Sequence, residues 1–349
     1  MSTELTPEQL HRFQAVIKNW LPEMTASMRG LIGSYVMYDS KQTAFLTQLY
    51  LQRVKAIVPW VLKETDLLMN GFLYYVANVM FAYCHYATLE RIHGKDVCLI
   101  VEARILRMSL ACVIVDFMLD TTADKAAMKK QMVGLVGTII AGNGFNSQQQ
   151  KTTDPRLLSG FTLLQEVLQA VPEAIPCVLR CFHAEMASTK QTEGKLNYKE
   201  LLAIERLKGG LTYEMIGCCI GDGKSLDVPH DLGYAVQLYD DLADMYIDQR
   251  EGTWTLVWSE IARCGSVDRI LLELVETIDR LPATYWPFKI GLSFCVAAIA
   301  CSNPYVSKEV TTLMAPYFPL PSRGKDEGEL PVYRNAIYDH LAYNVAQLP

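Results

Sequence analysis

The sequence predicts an all-α protein. Three observations carry that prediction: apolar residues recur at helical spacing in segment after segment, no stretch alternates apolar and polar residues as a half-buried strand would, and no Gly/Ser-rich linker divides the chain. A single all-α domain over residues 1–349 is the economical expectation.

The totals agree with it. At 349 residues, 50% hydrophobic and 20% charged, the chain can bury a large interior. A net charge of −6 and the lack of any Lys/Arg run argue against nucleic acid as a partner. The 10 cysteines lie mostly inside apolar helical segments and no secretory signal opens the sequence, so reduced core cysteines and a cytoplasmic protein are expected. Cys177 and Cys181 stand one turn apart, but no CxxC or Cys/His spacing supports zinc.

The first helix is expected from Thr6 to about Leu31, opened by TPEQ with Pro7 in the first turn and faced by Leu10, Phe13, Val16, Ile17, Trp20 and Leu21. Residues 41–66 give a second, with Leu46, Leu49, Tyr50, Val54, Ile57 and Val58 on one face before Pro59. The apolar stretch from Leu67 to Leu89 is about long enough to span a bilayer. Asn70, Asn78 and His85 inside it, and the absence of basic flanks, make it a buried core helix instead, stopped by His93 and Gly94. Phe288 to Cys301 is too short, so no stable membrane span is expected.

Nothing breaks a helix from about Asp96 to Lys130, and within it Asp116, Asp120 and Asp124 recur every four residues as one stripe. Val113, Ile114, Val115, Phe117, Met118 and Leu119 surround the first two, which weakens the reading of a plain solvated face there; Asp124 has polar neighbours and fits that reading. Residues 142–156 are a loop by composition, and helices resume at 157–170, 177–186 and 198–220. Gly209 and Gly210 sit in mid-helix, where each costs about 1 kcal/mol relative to Ala, so they mark a bend or a close approach to the backbone. Lys208 stands immediately before them, where a cation could reach into a cavity.

The stretch from Gly233 to Thr255 carries a second stripe, Asp240, Asp244 and Asp248, with Asp241 beside it and Gln237 one turn earlier. Its neighbours Ala235, Val236, Leu238, Leu242, Ala243, Met245 and Ile247 are apolar, so the helix is expected to be largely buried. Buried like charges cost several kcal/mol each unless a cation neutralises them, and the usual neutraliser of clustered carboxylates is a hard divalent ion such as Mg²⁺ arriving with phosphate. Helices follow near 266–280 and 287–301, then a Pro/Gly-rich loop at 315–331 long enough to be a lid, and a last helix over 332–345.

Two such stripes, each ending an apolar helix, can face each other across the mouth of a helical bundle. Mg²⁺ between them would bind a diphosphate, with a hydrocarbon tail in the apolar interior, and the chemistry would be heterolysis of an allylic C–O bond. Aromatic faces stabilise carbocations, and Tyr74, Tyr75, Phe81, Tyr83 and Tyr86 lie on one lining helix, although aromatics at such spacing are commonly plain core.

Over roughly residues 95–260 the sequence resembles the class I isoprenoid synthases, the all-α isoprenoid (terpenoid) synthase bundle around a central apolar cavity that trans-prenyl diphosphate synthases and class I terpene synthases share. DFMLD resembles the first DDxxD motif, with Asp116 and Asp120 on its outer positions and Phe117 on its middle one. Gly233, Gln237, Asp240, Asp241 and Asp244 match the second motif in order, REGTWTL is similar to the segment after it, and Lys208, Gly209 and Gly210 resemble a Lys-Thr-Gly that touches diphosphate. The resemblance implies a trinuclear Mg²⁺ cluster on Asp116, Asp120, Asp240, Asp241 and Asp244, with Asp248 added in the terpene synthase branch, and an isoprenyl diphosphate substrate held by Lys208 and Gln237. Arg250 and Arg334 are further candidates to grip the diphosphate. Prenyl synthase relatives are commonly dimers, so a homodimer is the partner it suggests.

Departures choose the branch. Elongating synthases carry Gly-Gly-Lys-x-x-Arg ahead of the first motif and Arg-Arg after it, to hold isopentenyl diphosphate; here HGKD at His93 to Asp96 is at best a remnant, and Thr121 to Lys130 has no arginine. VDFMLDTTAD and LADMYIDQREG are also similar to the acidic motifs of bacterial large terpene synthases. A terpene synthase is the favoured reading and a chain-elongating prenyltransferase the alternative. Phe117 in a ligand position is the best argument for a third, a noncatalytic protein of the same fold. An intramembrane prenyltransferase would need several spans.

Overall fold

Helices make up the regular structure, and no strand occurs among the described residues, which are 5–18, 41–88, 94–192, 194, 196–220 and 227–315 of a computed structural model. In chain order they are α1 (7–18), α2 (Lys41–Ile57), α3 (Thr65–Thr88), α4 (Gly94–Thr121), α5 (Lys125–Ile140), α6 (Ser147–Thr152), α7 (Pro155–Ala170) and α8 (Ile175–Ser188). Then come α9 (Tyr198–Ile220), α10 (Asp227–Ala243), α11 (Met245–Glu251), α12 (Leu256–Cys264), α13 (Asp268–Arg280), α14 (Trp286–Ser302) and α15 (Lys308–Met314). Arg334, the loop beyond 315, the helix expected over 332–345, His93 and the 19–31 part of the first helix lie outside the described residues.

Capping chemistry sets several starts. Thr6 and Gln9 exchange backbone-to-side-chain bonds of 2.9 and 3.2 Å, as TPEQ predicts for a helix N-terminus. Asp124 turns its carboxylate onto the Ala127 N–H at 2.9 Å, which ends the helix expected to run unbroken over 96–130 and begins α5. The loop expected at 142–156 likewise holds α6, because Asn146 and Gln149 close a capping box of 2.8 and 3.0 Å.

The chain divides into two compact units, one of Met1–Tyr38, Arg180–Glu214 and Ser225–Pro331, the other of Asp39–Leu179, Met215–Lys224 and Val332–Pro349. In the second, α4 packs against α3 and α7, burying Val101, Ile105, Leu106, Met108, Leu110 and Ile114. Gly160 admits Ile114, whose Cγ2 would lie 2.8 Å from a Cβ there. Tyr50 packs on Phe72 and Tyr75 at 5.3 and 5.6 Å, so Tyr75 is core, as is Phe81, whereas Tyr74 is exposed. Buried Asn78 donates to Ser109 Oγ at 3.0 Å, which removes the cost of its amide inside an apolar helix. The Cys177 and Cys218 sulfurs meet at 2.7 Å within this unit.

In the other unit α13 presents one apolar face, with Ile270, Leu271, Leu274, Val275 and Ile278 buried, against which α10 and α14 pack. Among the described residues one segment, Ala283–Ser302, reaches the length and hydropathy of a membrane span, and 53% of its most apolar window is packed inside the protein. The Leu67 to Leu89 stretch is not such a segment.

Candidate functional site

The site is built on α9 and α10, which run antiparallel and nearly touch. A Cβ at Gly209 would overlap the carbonyl of Gly233, a Cβ at Gly233 would overlap the carbonyl of Gly209, and a Cβ at Gly210 would strike the His230 ring. α9 continues unbroken through its glycine pair, so the pair marks a close approach rather than a bend. His230 is fixed there by Glu214, whose carboxylate lies 2.9 Å from His230 Nδ1 and accepts from Arg180 Nη2 at 2.9 Å.

One and two turns further along the same seam the contact becomes acidic. Asp241 on α10 is 6% exposed and Glu205 on α9 is 1% exposed, and the two carboxyls are in hydrogen-bonding contact. Gln237 Nε2 donates to Asp241 Oδ1 at 2.9 Å and Gln191 Nε2 to Glu205 Oε1 at 2.9 Å. Asp241 Oδ2 is buried with no hydrogen-bond partner. Burial, then the Glu205 charge, pushes the Asp241 carboxyl well above the carboxylate range. Burial pushes Glu205 up to about 7, against the pull of Lys208. Asp248 rises to about 8, again through burial first and then through Asp241, Asp240 and Asp244, with Lys208 pulling it down.

Among the residues expected from the sequence, Asp240, Asp241, Asp244, Asp248, Gln237 and Lys208 thus share one locality of one unit. The stripe is not a single straight helix: α10 ends at Ala243 and α11 begins at Met245, with Asp244 at the junction. Trp258 Nε1 donates to the Met245 carbonyl at 2.6 Å, in the first turn of α11. Asp240 is exposed, while Asp244 and Asp248 are half-buried. Lys208 is 30% exposed, with Nζ 3.8 Å from Glu185 Oε2. Arg250 is exposed in the last turn of α11, and Arg334 is not described. Asp116 and Asp120, on α4 of the other unit, are exposed, although their apolar neighbours Met118 and Leu119 are buried. Arg107 pairs with Glu166 at 2.7 Å, an ordinary structural partner.

Glu205, Gln191, Glu185, Glu214 and His230 belong to this seam and were not singled out from the sequence. For Glu205 a signal existed: it is the one acid on the stripe Leu201, Glu205, Gly209, all buried. Gln191 lies in a 3₁₀ turn brought in by its carbonyl, which accepts from Trp254 N at 3.0 Å, and no local pattern announces that.

Donor chemistry here suits a hard divalent cation: all oxygen, largely carboxylate, with one buried oxygen orphaned. Among the described residues no three His, Cys, Asp or Glu side chains converge as they stand on one ion position. Mg²⁺ asks less than that, since it commonly keeps several waters and takes one or two carboxylates plus phosphate oxygens. Among the described residues, a crevice of about 290 Å³ along Gly265, Ser266 and Pro304 to Glu309 and a void of about 10 Å³ lined by residues such as Val136, Ile139 and Leu168 lie elsewhere. Comparison with family models, with curated proteins and with solved structures yields no match to this chain.

Proposed function

We propose that the protein is a Mg²⁺-dependent class I terpene synthase that ionises an allylic isoprenyl diphosphate. The observation that carries the reading is the cluster of Glu205, Asp240, Asp241, Asp244 and Asp248 with Lys208 as the cation that acts on Glu205, Asp241 and Asp248. Acids held this way and left uncompensated would be a standing cost; a site that recruits cations with its substrate turns the same acids to use.

In this reading Asp240, Asp244 and Asp248 hold Mg²⁺ from the α10–α11 junction and Lys208 donates to diphosphate oxygens from α9. Asp116 and Asp120 enter as the first metal motif on the strength of the sequence. Bound Mg²⁺ supplies neutralisation of the diphosphate leaving group. The allylic C–O bond breaks with its electron pair going to the diphosphate, and the resulting carbocation is ended by loss of a proton or capture of water. Gln237, by fixing Asp241, keeps the α10 carboxylates aimed.

Incubation with geranyl, farnesyl and geranylgeranyl diphosphate, each with and without isopentenyl diphosphate, tests the proposal. Mg²⁺-dependent diphosphate release with hydrocarbon or alcohol products in the absence of isopentenyl diphosphate is the expected result. Longer diphosphates formed only in its presence would transfer the protein to the elongating branch, and no turnover of any substrate would overturn the enzyme reading.

A further inference from the structure

Cys177 near the start of α8 and Cys218 near the end of α9 meet sulfur to sulfur at 2.7 Å, in a contact where either thiol can be the donor. Both are thiols in this structure, 7% and 3% exposed, and both belong to the second compact unit. Cys181, one turn along α8, meets Thr212 Oγ1 at 3.7 Å, and Cys219 points about 100° away from Cys218 around α9. A disulfide brings its sulfurs to about 2.0 Å, so the pair has little further to travel.

The two cysteines stand 41 positions apart, and the stretch between them supplies Glu185, Gln191, Glu205, Lys208 and Gly209 to the seam. A cross-link would close that stretch into one loop. Closing a loop removes freedom from the unfolded chain and so favours the folded one, more for a long loop than for a short one.

We propose that Cys177 and Cys218 are a redox-modification site, joined by a peroxide into a disulfide that fastens the start of α8 to the end of α9. The Cys177 sulfur, the more exposed of the two, attacks hydrogen peroxide; the O–O bond breaks, water leaves and a sulfenic acid remains. The Cys218 sulfur then attacks the Cys177 sulfur, the S–S bond forms as the S–O bond breaks, and the hydroxyl leaves with the Cys218 proton as a second water. Two electrons pass from the thiols to the peroxide, and a dithiol reverses the bond. This site is independent of the reaction proposed above, which stands or falls separately.

The test exposes the folded, reduced full chain to hydrogen peroxide and alkylates the thiols that remain. Peptide mass spectrometry should then find Cys177 linked to Cys218. The oxidised protein should melt about 5 °C or more above the reduced protein, and dithiothreitol should remove the gain. Cys218→Ala should show neither link nor gain, and the wild-type map and melting curves decide even if that variant does not fold. Cys177 and Cys218 still alkylated after peroxide, oxidised singly to sulfinic acid, or linked to other cysteines overturns the proposal. A cross-linked protein that melts no higher than the reduced one overturns it too.

Discussion

Gly209 and Gly233 meet backbone to backbone, each occupying the space that the other's side chain would need. This contact brings α9 and α10 together, and the carboxyl pair, Glu205 and Asp241, lies along the same seam.

Gly233→Ala is expected to destabilise the protein by about 3 kcal/mol or more, because the added Cβ meets backbone that cannot swing aside. Helix propensity alone would predict the opposite sign, a gain of about 1 kcal/mol. Urea denaturation of the variant decides between them: stability equal to or above wild type would mean that the helices are not in contact there.

Stability of the metal-free protein should fall as pH rises. Glu205 and Asp248 have folded-state values of about 7 and about 8 against ordinary values of 4.5 and 3.8, so the folded state holds its protons more tightly than the unfolded state does. The contribution is complete below the ordinary values and is lost as pH climbs through the raised ones, with Glu205 worth on the order of 3 kcal/mol. Denaturation midpoints between pH 4.5 and 8.5 measure it. Saturating Mg²⁺ should flatten the slope, since a cation takes the place of the protons.

Asp240→Asn should lower Mg²⁺-dependent diphosphate release by about 100-fold or more while leaving the fold intact, because Asp240 is exposed and its loss empties no core position. Combined with Asp116→Asn it should abolish release. A colorimetric diphosphate assay with circular dichroism as the folding control reads both; full activity in the double variant would sink the mechanism.

Trp258→Phe keeps an aromatic ring but removes the donor to the Met245 carbonyl at the start of α11. A loss of about 1 kcal/mol is expected from the lost hydrogen bond. If the junction orients Asp244 and Asp248, the Mg²⁺ concentration needed for half-maximal activity should also rise; a stability loss with unchanged Mg²⁺ dependence would confine Trp258 to packing.

The all-α class and the pairing of Asp116 with Asp120 on one helix were legible in the sequence because helical periodicity is local: spacing every three or four residues fixes which side chains share a face, whatever that face later meets, although Asp124 and Asp248, the last members of the two stripes, fall on the next element. Thr6 with Gln9 announced a helix start for the same reason; Asp124, expected to be solvated, is exposed, and it also caps α5, which the sequence reading did not foresee. The glycine pair said that something comes close to α9, but not that it is Gly233 and His230. Only the tertiary structure decided that Glu205 stands against Asp241, that Gln191 reaches the seam and Trp258 the start of α11, and that the second stripe is broken at Asp244. Those facts depend on the register between helices, and register is set by packing between residues far apart in sequence, where no local pattern carries the information.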